Sequence, residues 1–225
     1  MRDLLIIFVK APEPGSVKTR LTPEISANDA ARLYKAMAED IVEAHADASS
    51  RDTAVFFTPP EARDAIAAWL GESHTLVEQE GEDLGARELG ALEYAFRSGY
   101  EKAVIIGTDC VLLSEIDIDA AFEALDDVPL VLGPSEDGGY YLVGTSEPHP
   151  AVFEGIDWGT ELVLDQTLER ADESQVEYRL LEPKCDVDTW ADVTRLIAEL
   201  GEDARDGRAP RTRKVLKLLG RKKGR

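Results

Sequence analysis

The sequence predicts an α/β protein: a three-layer sandwich with helices on both faces of a doubly wound, mostly parallel central sheet. Three observations carry this expectation. Leu4-Leu5-Ile6-Ile7-Phe8-Val9 is an unbroken apolar run, as in a strand buried on both faces at the centre of a parallel sheet. Strand-like and helix-like segments then alternate with regular spacing, the pattern of crossover units. The 225 residues suit one large domain covered on both sides of a single sheet.

After the first strand, Pro12 and Pro14 forbid an immediate helix and Gly15 frees the backbone, so Lys18 and Arg20 arrive in a loop at the strand's carboxyl end. Open α/β sheets bind ligands at that edge. Ser26 with Asp29 reads as a helix N-cap, and Ala30, Leu33, Met37, Ile41 and Ala44 continue at helical spacing to about His45. Thr53 to Phe57 is a second strand. Pro59-Pro60-Glu61 opens a helix through Trp69 that Gly71 stops, and His74 to Val77 is a short third strand. Gly81 to Gly85 is a loop before a helix over residues 86 to 96. Lys102 to Ile106 is a fourth strand, ending at Gly107-Thr108-Asp109-Cys110. A helix over 117 to 125 follows, then strands at 130 to 132 and 140 to 143 flanking Gly133 to Gly139. A helix over 161 to 171, a last strand at 176 to 181 and a terminal helix entered through Thr189 complete the pattern.

The charge is extreme: 45 acidic against 25 basic residues, a formal −20. An acidic surface of this kind stays solvated at high salt, so a halophilic setting is expected, with self-repulsion costing stability when salt is low. Nine of the 25 bases fall between Gly207 and Arg225, a stretch with no Asp or Glu. We therefore separate residues 1–206, the main domain, from a basic tail at 207–225. That tail is expected to be a short basic helix or a disordered arm, and to rest against its own acidic body rather than bind nucleic acid or anionic lipid. Cys110 and Cys185 lack the spacing of a zinc or redox motif. No signal-like segment precedes the first strand and no apolar run reaches the roughly 18 residues of a membrane span, so a soluble cytoplasmic protein is expected.

Three clusters are candidates for chemistry. Lys18 and Arg20, with Lys10, Pro14 and Gly15 around them, suit phosphate oxygens: Arg offers a fork and Lys a point charge. Asp109, with Thr108 beside it, stands past the end of a buried strand. Asp186 and Asp188 enter late in the chain, and the three carboxylates suit a hard divalent cation, Mg²⁺ or Mn²⁺. Of Asp186 and Asp188, only one is expected to face inward. The third cluster is Asp137-Gly138-Gly139-Tyr140-Tyr141, whose glycines permit close backbone approach and whose paired tyrosines offer a flat face for a base or sugar; the plainer reading is a hairpin turn. Trp158 and Thr160 are candidates for an acceptor-side loop or a hydrophobic plug. His45, His74 and His149 share no context and are read as surface residues. The P-loop, dinucleotide-binding and Ser-nucleophile signatures are all missing, which weighs against those enzyme classes.

Val9-Lys-Ala-Pro-Glu-Pro-Gly-Ser-Val-Lys-Thr-Arg-Leu21, Gly107-Thr-Asp-Cys110, Gly133 to Leu142, Trp158-Gly-Thr160 and Asp186-Val-Asp-Thr189 together resemble uncharacterised transferases of the glycosyltransferase-A, or nucleotide-diphospho-sugar transferase, superfamily. Those transferases form a domain of unknown function found beside radical-SAM proteins, and the resemblance spans Leu4 to about Leu196. The first loop also resembles that of phospholactate guanylyltransferases, and Asp186-Val-Asp-Thr189 the metal motif of molybdenum-cofactor cytidylyltransferases. The resemblance implies that Lys18 and Arg20 hold a nucleoside triphosphate while Asp109 and Asp188 hold Mg²⁺. Many relatives carry Pro where this chain has Cys110. The preferred expectation is metal-dependent nucleotidyl transfer to a phosphorylated small-molecule acceptor. One alternative is glycosyl transfer from a nucleotide-sugar, with Asp137 or Asp157 as the catalytic carboxylate. Another is a non-catalytic nucleotide-binding module whose tail engages a partner.

Overall fold

A computed structural model describes residues 2–46, 50–201 and 207–223. Its centre is a seven-stranded sheet. The strands are β1 (Asp3–Lys10), β2 (Asp52–Thr58), β3 (Thr75–Glu78), β4 (Lys102–Ile106), β5 (Leu130–Pro134), β6 (Tyr140–Thr145) and β7 (Tyr178–Leu180). They lie in the order β3-β2-β1-β4-β6-β5-β7. All neighbours pair in parallel except β6, which runs antiparallel to both β4 and β5. The plainer reading of Asp137-Gly138 therefore holds, since β5 and β6 form a hairpin around it.

Helices α1 (Ala27–His45), α2 (Arg63–Leu70) and α4 (Glu115–Ala124) cover one face of the sheet, and α3 (Leu84–Arg97) and α5 (Val163–Glu173) cover the other. The first strand shows why the layers form. Leu5, Ile7 and Val9 enter the core beneath α1, α2 and α4, while Leu4 and Ile6 enter the core beneath α3 and α5. Alternate residues of a strand point to opposite faces, so a continuous apolar run must be covered twice. Each such side chain fully withdrawn from water contributes about 1.5–3 kcal/mol.

Two further helices, α6 (Trp190–Leu200) and α7 (Pro210–Lys223), pack with α1 in a separate apolar cluster. Val215, Leu216 and Leu219 of α7 are buried there against the side of α1 that carries Leu33 and Met37. The basic tail thus forms a helix on its own acidic body: Arg211 lies 3.4 Å from Glu39 and also pairs with Glu43. The boundary expected at residue 206 lies outside the described residues.

Buried Asp40 accepts the backbone N–H groups of Arg211 at 3.1 Å and Thr212 at 2.8 Å, so one carboxylate of α1 caps the start of α7. A helix N-terminus carries unpaired donors and partial positive charge, and an anion there stabilises it. Asp40→Ala is expected to cost about 1–2 kcal/mol, the range for loss of a helix cap. Chemical denaturation is the check, and an unchanged midpoint would dismiss the capping role.

The histidines correct the sequence reading. His45 is fully buried, not on the surface; its ring nitrogens contact Glu115 and the carbonyl of Leu113. Arg51, also buried, joins the same Glu115 and lies 2.6 Å from Asp119, tying the end of α1 to the start of α4. His74 and His149 are half-buried. Cys110 and Cys185 are free thiols. No described helix is long and apolar enough to cross a membrane.

Candidate nucleotide and acceptor site

Between β3 and β4 the chain crosses back over β2 and β1, so the crevice past the carboxyl ends of β1 and β4 lies where the winding reverses. Three chain segments far apart in sequence meet there. The β1 loop turns at Gly15, whose φ of 85° suits glycine, and then places Lys18 at φ 48°. A left-handed residue with a side chain costs roughly 1–2 kcal/mol, and such strain persists only where surrounding contacts impose it. Here the contacts are ionic: Lys18 Nζ lies 2.7 Å from Asp109 Oδ1 and 2.8 Å from Asp188 Oδ1. The Lys18 side chain is only 3% exposed, while those of Asp109 and Asp188 are 43% and 33% exposed. Burial works against the ammonium charge, but the two carboxylates outweigh it and hold the Lys18 pKa above its ordinary value. The backbones are joined as well, with Val187 N–H donating to the Asp109 carbonyl at 3.1 Å.

Arg20 stays in solvent, 63% exposed, with its guanidinium 3.7 Å from Asp188 Oδ2. Asp186 also faces the cluster, correcting the expectation that only one of the two late aspartates turns inward. Alternate residues of an extended chain share a side; Asp186 and Asp188 do so, while Val187 between them is buried in the α6–α7 cluster. Burial, then the neighbouring Asp109 and Asp137 carboxylates, raise the Asp186 pKa to about 7. As a donor set Asp109, Asp186 and Asp188 present only carboxylate oxygens, which suits Mg²⁺ or Mn²⁺. Asp109 Oδ1 is buried against the Lys18 ammonium. No three acidic, His or Cys groups close into a metal cage among the described residues. In the arrangement seen, the Lys18 ammonium bridges two of the three acids.

Two cavities flank this cluster. The first, about 400 Å³, is walled by Phe8, Lys10, Tyr34, Gln79, Glu88 and Thr108. The second, about 620 Å³, is walled by Arg20, Asp137, Gly139, Trp158, Thr160 and Glu161. Asp109, Asp186, Asp188, Tyr140 and Leu84 border both.

The remaining candidates divide between these spaces and the scaffold. Lys10 Nζ donates to the Ser16 carbonyl at 2.9 Å, bracing the loop. Pro14 and Gly15 are exposed and line neither cavity. Asp137 accepts hydrogen bonds from the Ser135 hydroxyl and from Gly139 N–H, the latter at 3.2 Å. Gly138 makes room for the protein itself: a Cβ there would stand 2.1 Å from the Glu161 carbonyl oxygen. Thr160 donates to the Asp157 carbonyl at 2.7 Å, closing its own turn. Trp158 lies against Gly85, where a Cβ would come within 2.2 Å of the indole, and meets the Tyr140 ring edge-on at 6.4 Å between centroids.

The paired tyrosines do not form one flat face. As neighbours on β6 they point to opposite sides of the sheet. Tyr141 donates to the Glu182 carbonyl at 3.2 Å, while Tyr140 donates to Glu88 at 2.5 Å. Sequence reasoning missed Glu88 and Gln79. On α3 the buried positions are Gly85, Glu88, Ala91, Leu92 and Ala95, so an acid on the apolar stripe was the available signal.

Glu88 titrates unusually. Burial chiefly, with the nearby Asp83 charge adding to it, raises its pKa from 4.5 to about 8 against the opposing Tyr140 hydrogen bond. The folded protein therefore keeps a proton that the unfolded chain releases, and stability from this group declines as pH rises from 4.5 towards 8. Glu88→Gln is expected to remove a slope of up to about 1.4 kcal/mol per pH unit across that window. Denaturation of both proteins at pH 5.5 and 7.5 measures it; parallel losses in the two would refute the buried-acid assignment.

No curated protein matches the chain at a significant level. Among solved structures, one from Desulfovibrio desulfuricans G20, whose description assigns it provisionally to the nucleotide-diphospho-sugar transferases, is 31% identical. That comparison covers 99% of this chain and 98% of the other, with a TM-score of 0.90. CMP:2-keto-3-deoxy-manno-octonic acid synthetase in complex with CTP is similar at 11% identity and a TM-score of 0.57, covering 89% of this chain and 98% of that one. The 4-diphosphocytidyl-2C-methyl-D-erythritol synthase of Anaerococcus prevotii DSM 20548 is similar at 10% identity and a TM-score of 0.57, covering 88% and 96%. At that identity the last two speak for the fold, which is that of the nucleotide-diphospho-sugar transferases. A family model described as "Uncharacterized protein conserved in bacteria (DUF2064)" matches residues 41–160, more than half of the sequence, and the chain belongs to this family.

Proposed function

We propose that this protein is a transferase acting on a nucleotide, and that it moves the nucleotidyl group of a nucleoside triphosphate to a phosphorylated small-molecule acceptor. The observation that carries this reading is the Lys18 bridge between Asp109 and Asp188, standing where two cavities meet. The nucleoside is assigned to the first cavity and the acceptor to the second, so that the reacting phosphate falls beside the cluster. The similarity to CTP-utilising and sugar-transferring folds supports a nucleotide ligand.

In this mechanism an acceptor phosphate oxygen attacks the α-phosphorus, a new P–O bond forms, and the α–β bridging bond breaks to release pyrophosphate. The nucleophile is already an anion, so no general base is required. Lys18 offers fixed positive charge to the phosphates, and such preorganised charge is worth more in a site withdrawn from water. Exposed Arg20 suits recruitment of the acceptor's phosphate, because its guanidinium forks onto phosphate oxygens. Asp109, Asp186 and Asp188 would hold a divalent cation, whose chemistry there is to neutralise phosphate charge.

A second reading has its own observation. Asp137, fixed by Ser135 and Gly139 at the wall of the larger cavity, suits a catalytic carboxylate for glycosyl transfer. The two separate in one experiment: thermal shifts with nucleoside triphosphates and nucleotide-sugars, with Mg²⁺ or Mn²⁺ in molar KCl, then pyrophosphate release on every hit. Pyrophosphate from at least one triphosphate is the expected outcome. Stabilisation by a nucleotide-sugar alone, with no pyrophosphate from any triphosphate, would favour glycosyl transfer.

A further inference from the structure

Among the polar side chains that line the first cavity and that the reaction above does not use are Gln79 and Glu88. Both are buried, 8% and 5% exposed, and neither belongs to the Lys18 cluster. The Gln79 amide nitrogen faces two backbone carbonyls, Phe56 O at 2.8 Å and Val9 O at 3.4 Å. That fixes the amide orientation and leaves the Gln79 carbonyl oxygen as a pure acceptor. Glu88 accepts the Tyr140 hydroxyl at 2.5 Å on one oxygen, and no hydrogen bond to the other oxygen accompanies it among the described residues. The Tyr140 ring packs edge-on against Trp158. The cavity therefore offers one acceptor from Gln79, just past β3, and one from Glu88 of α3, with Phe8 and Tyr34 also lining it.

We propose that Glu88, oriented by Tyr140 and assisted by Gln79, reads the exocyclic amino group of the substrate's nucleobase. The inference rests on the nucleotide reading of the first cavity and adds a base class to it: an amino-bearing base rather than uracil or hypoxanthine. An amino group supplies the N–H donors that these two acceptors lack. A carbonyl in the same place would set oxygen against oxygen and leave buried acceptors unpaired, which is costly. Sites built to hydrogen-bond a substrate N–H discriminate strongly against the analogue lacking it. An amino group donating to the oxygen that Tyr140 leaves free favours the ionised carboxylate, both of whose oxygens accept, over the protonated form, whose O–H would face it.

Triphosphates that differ at the amino group provide the test: CTP against UTP, GTP against ITP, and ATP against purine-riboside triphosphate. Inorganic tripolyphosphate reports on the phosphate side alone. Dissociation constants are measured by calorimetry for the wild type, Glu88→Gln and Tyr140→Phe. The wild type is expected to bind the amino-bearing member of at least one pair about tenfold tighter or more. Glu88→Gln should reduce that ratio to about threefold or less, with tripolyphosphate affinity unchanged, and Tyr140→Phe should lower it partway. Equal affinities across all three pairs in the wild type, or a ratio that survives in Glu88→Gln, would overturn the base assignment while the nucleotide reading stands. Failure of every triphosphate and of tripolyphosphate to bind the wild type would overturn both. If Glu88→Gln does not fold, the wild-type ratios and Tyr140→Phe still decide the matter.

Discussion

Replacing Lys18 with methionine is expected to destabilise the protein by about 2–4 kcal/mol and to abolish turnover. Removing one partner of a buried ionic cluster strands the others, and for sealed pairs the cost runs to about 3–5 kcal/mol. The lower figure applies because Asp109 and Asp188 keep 43% and 33% of their side-chain surface in water, which screens their repulsion. Methionine retains much of the aliphatic stem, so the loss reports on charge rather than on a cavity. The left-handed backbone at residue 18 is a second cost that the ionic contacts hold in check and that the variant leaves uncompensated. A double-mutant cycle isolates the pairwise part: Lys18→Met should cost distinctly less in an Asp109→Asn background than in the wild type. Additive effects would mean that Lys18 and Asp109 are neighbours without mutual stabilisation.

Asp109→Asn is expected to lower kcat/KM by about 100-fold or more, in line with loss of one preorganised electrostatic group at a reacting phosphate. The substitution preserves shape but removes the charge that faces the Lys18 ammonium at 2.7 Å, so the melting temperature should fall as well. The same variant should lose the thermal stabilisation that Mg²⁺ or Mn²⁺ adds to nucleotide binding. Pyrophosphate release at saturating triphosphate, beside melting curves with and without metal, separates the two effects. A variant with wild-type turnover and an intact metal response would remove Asp109 from the site.

The core of the fold was legible because its strands are covered on both faces. An apolar run such as Leu4–Val9 has few ways to be buried, and β4 over Lys102–Ile106 repeats the signal. The convergence of Lys18, Asp109 and Asp188 followed from placing each at the carboxyl end of a strand in one sheet. What the sequence hid was burial of charge. A lysine in a Pro- and Gly-bearing loop reads as exposed, yet Lys18 is buried against two carboxylates at the edge of the first cavity. Glu88 sat unnoticed on a helical stripe because carboxylates are ordinarily solvated, and its environment depends on Tyr140 from a strand fifty residues later. His45 was misplaced for the same reason, since its partners Glu115 and Leu113 come from the distant entrance to α4. The basic run at the C-terminus masked Val215, Leu216 and Leu219, a short apolar stripe that seats α7 on α1. Partners distant in sequence decided the surroundings of Lys18, Glu88 and His45.

The most direct test of the account is a crystal structure of the protein with a non-hydrolysable nucleoside triphosphate. The account predicts the base between Gln79 and Glu88 in the first cavity, with the phosphates running toward Lys18 and Asp109. A triphosphate held instead on the basic surface of α7, with the first cavity empty, would contradict it.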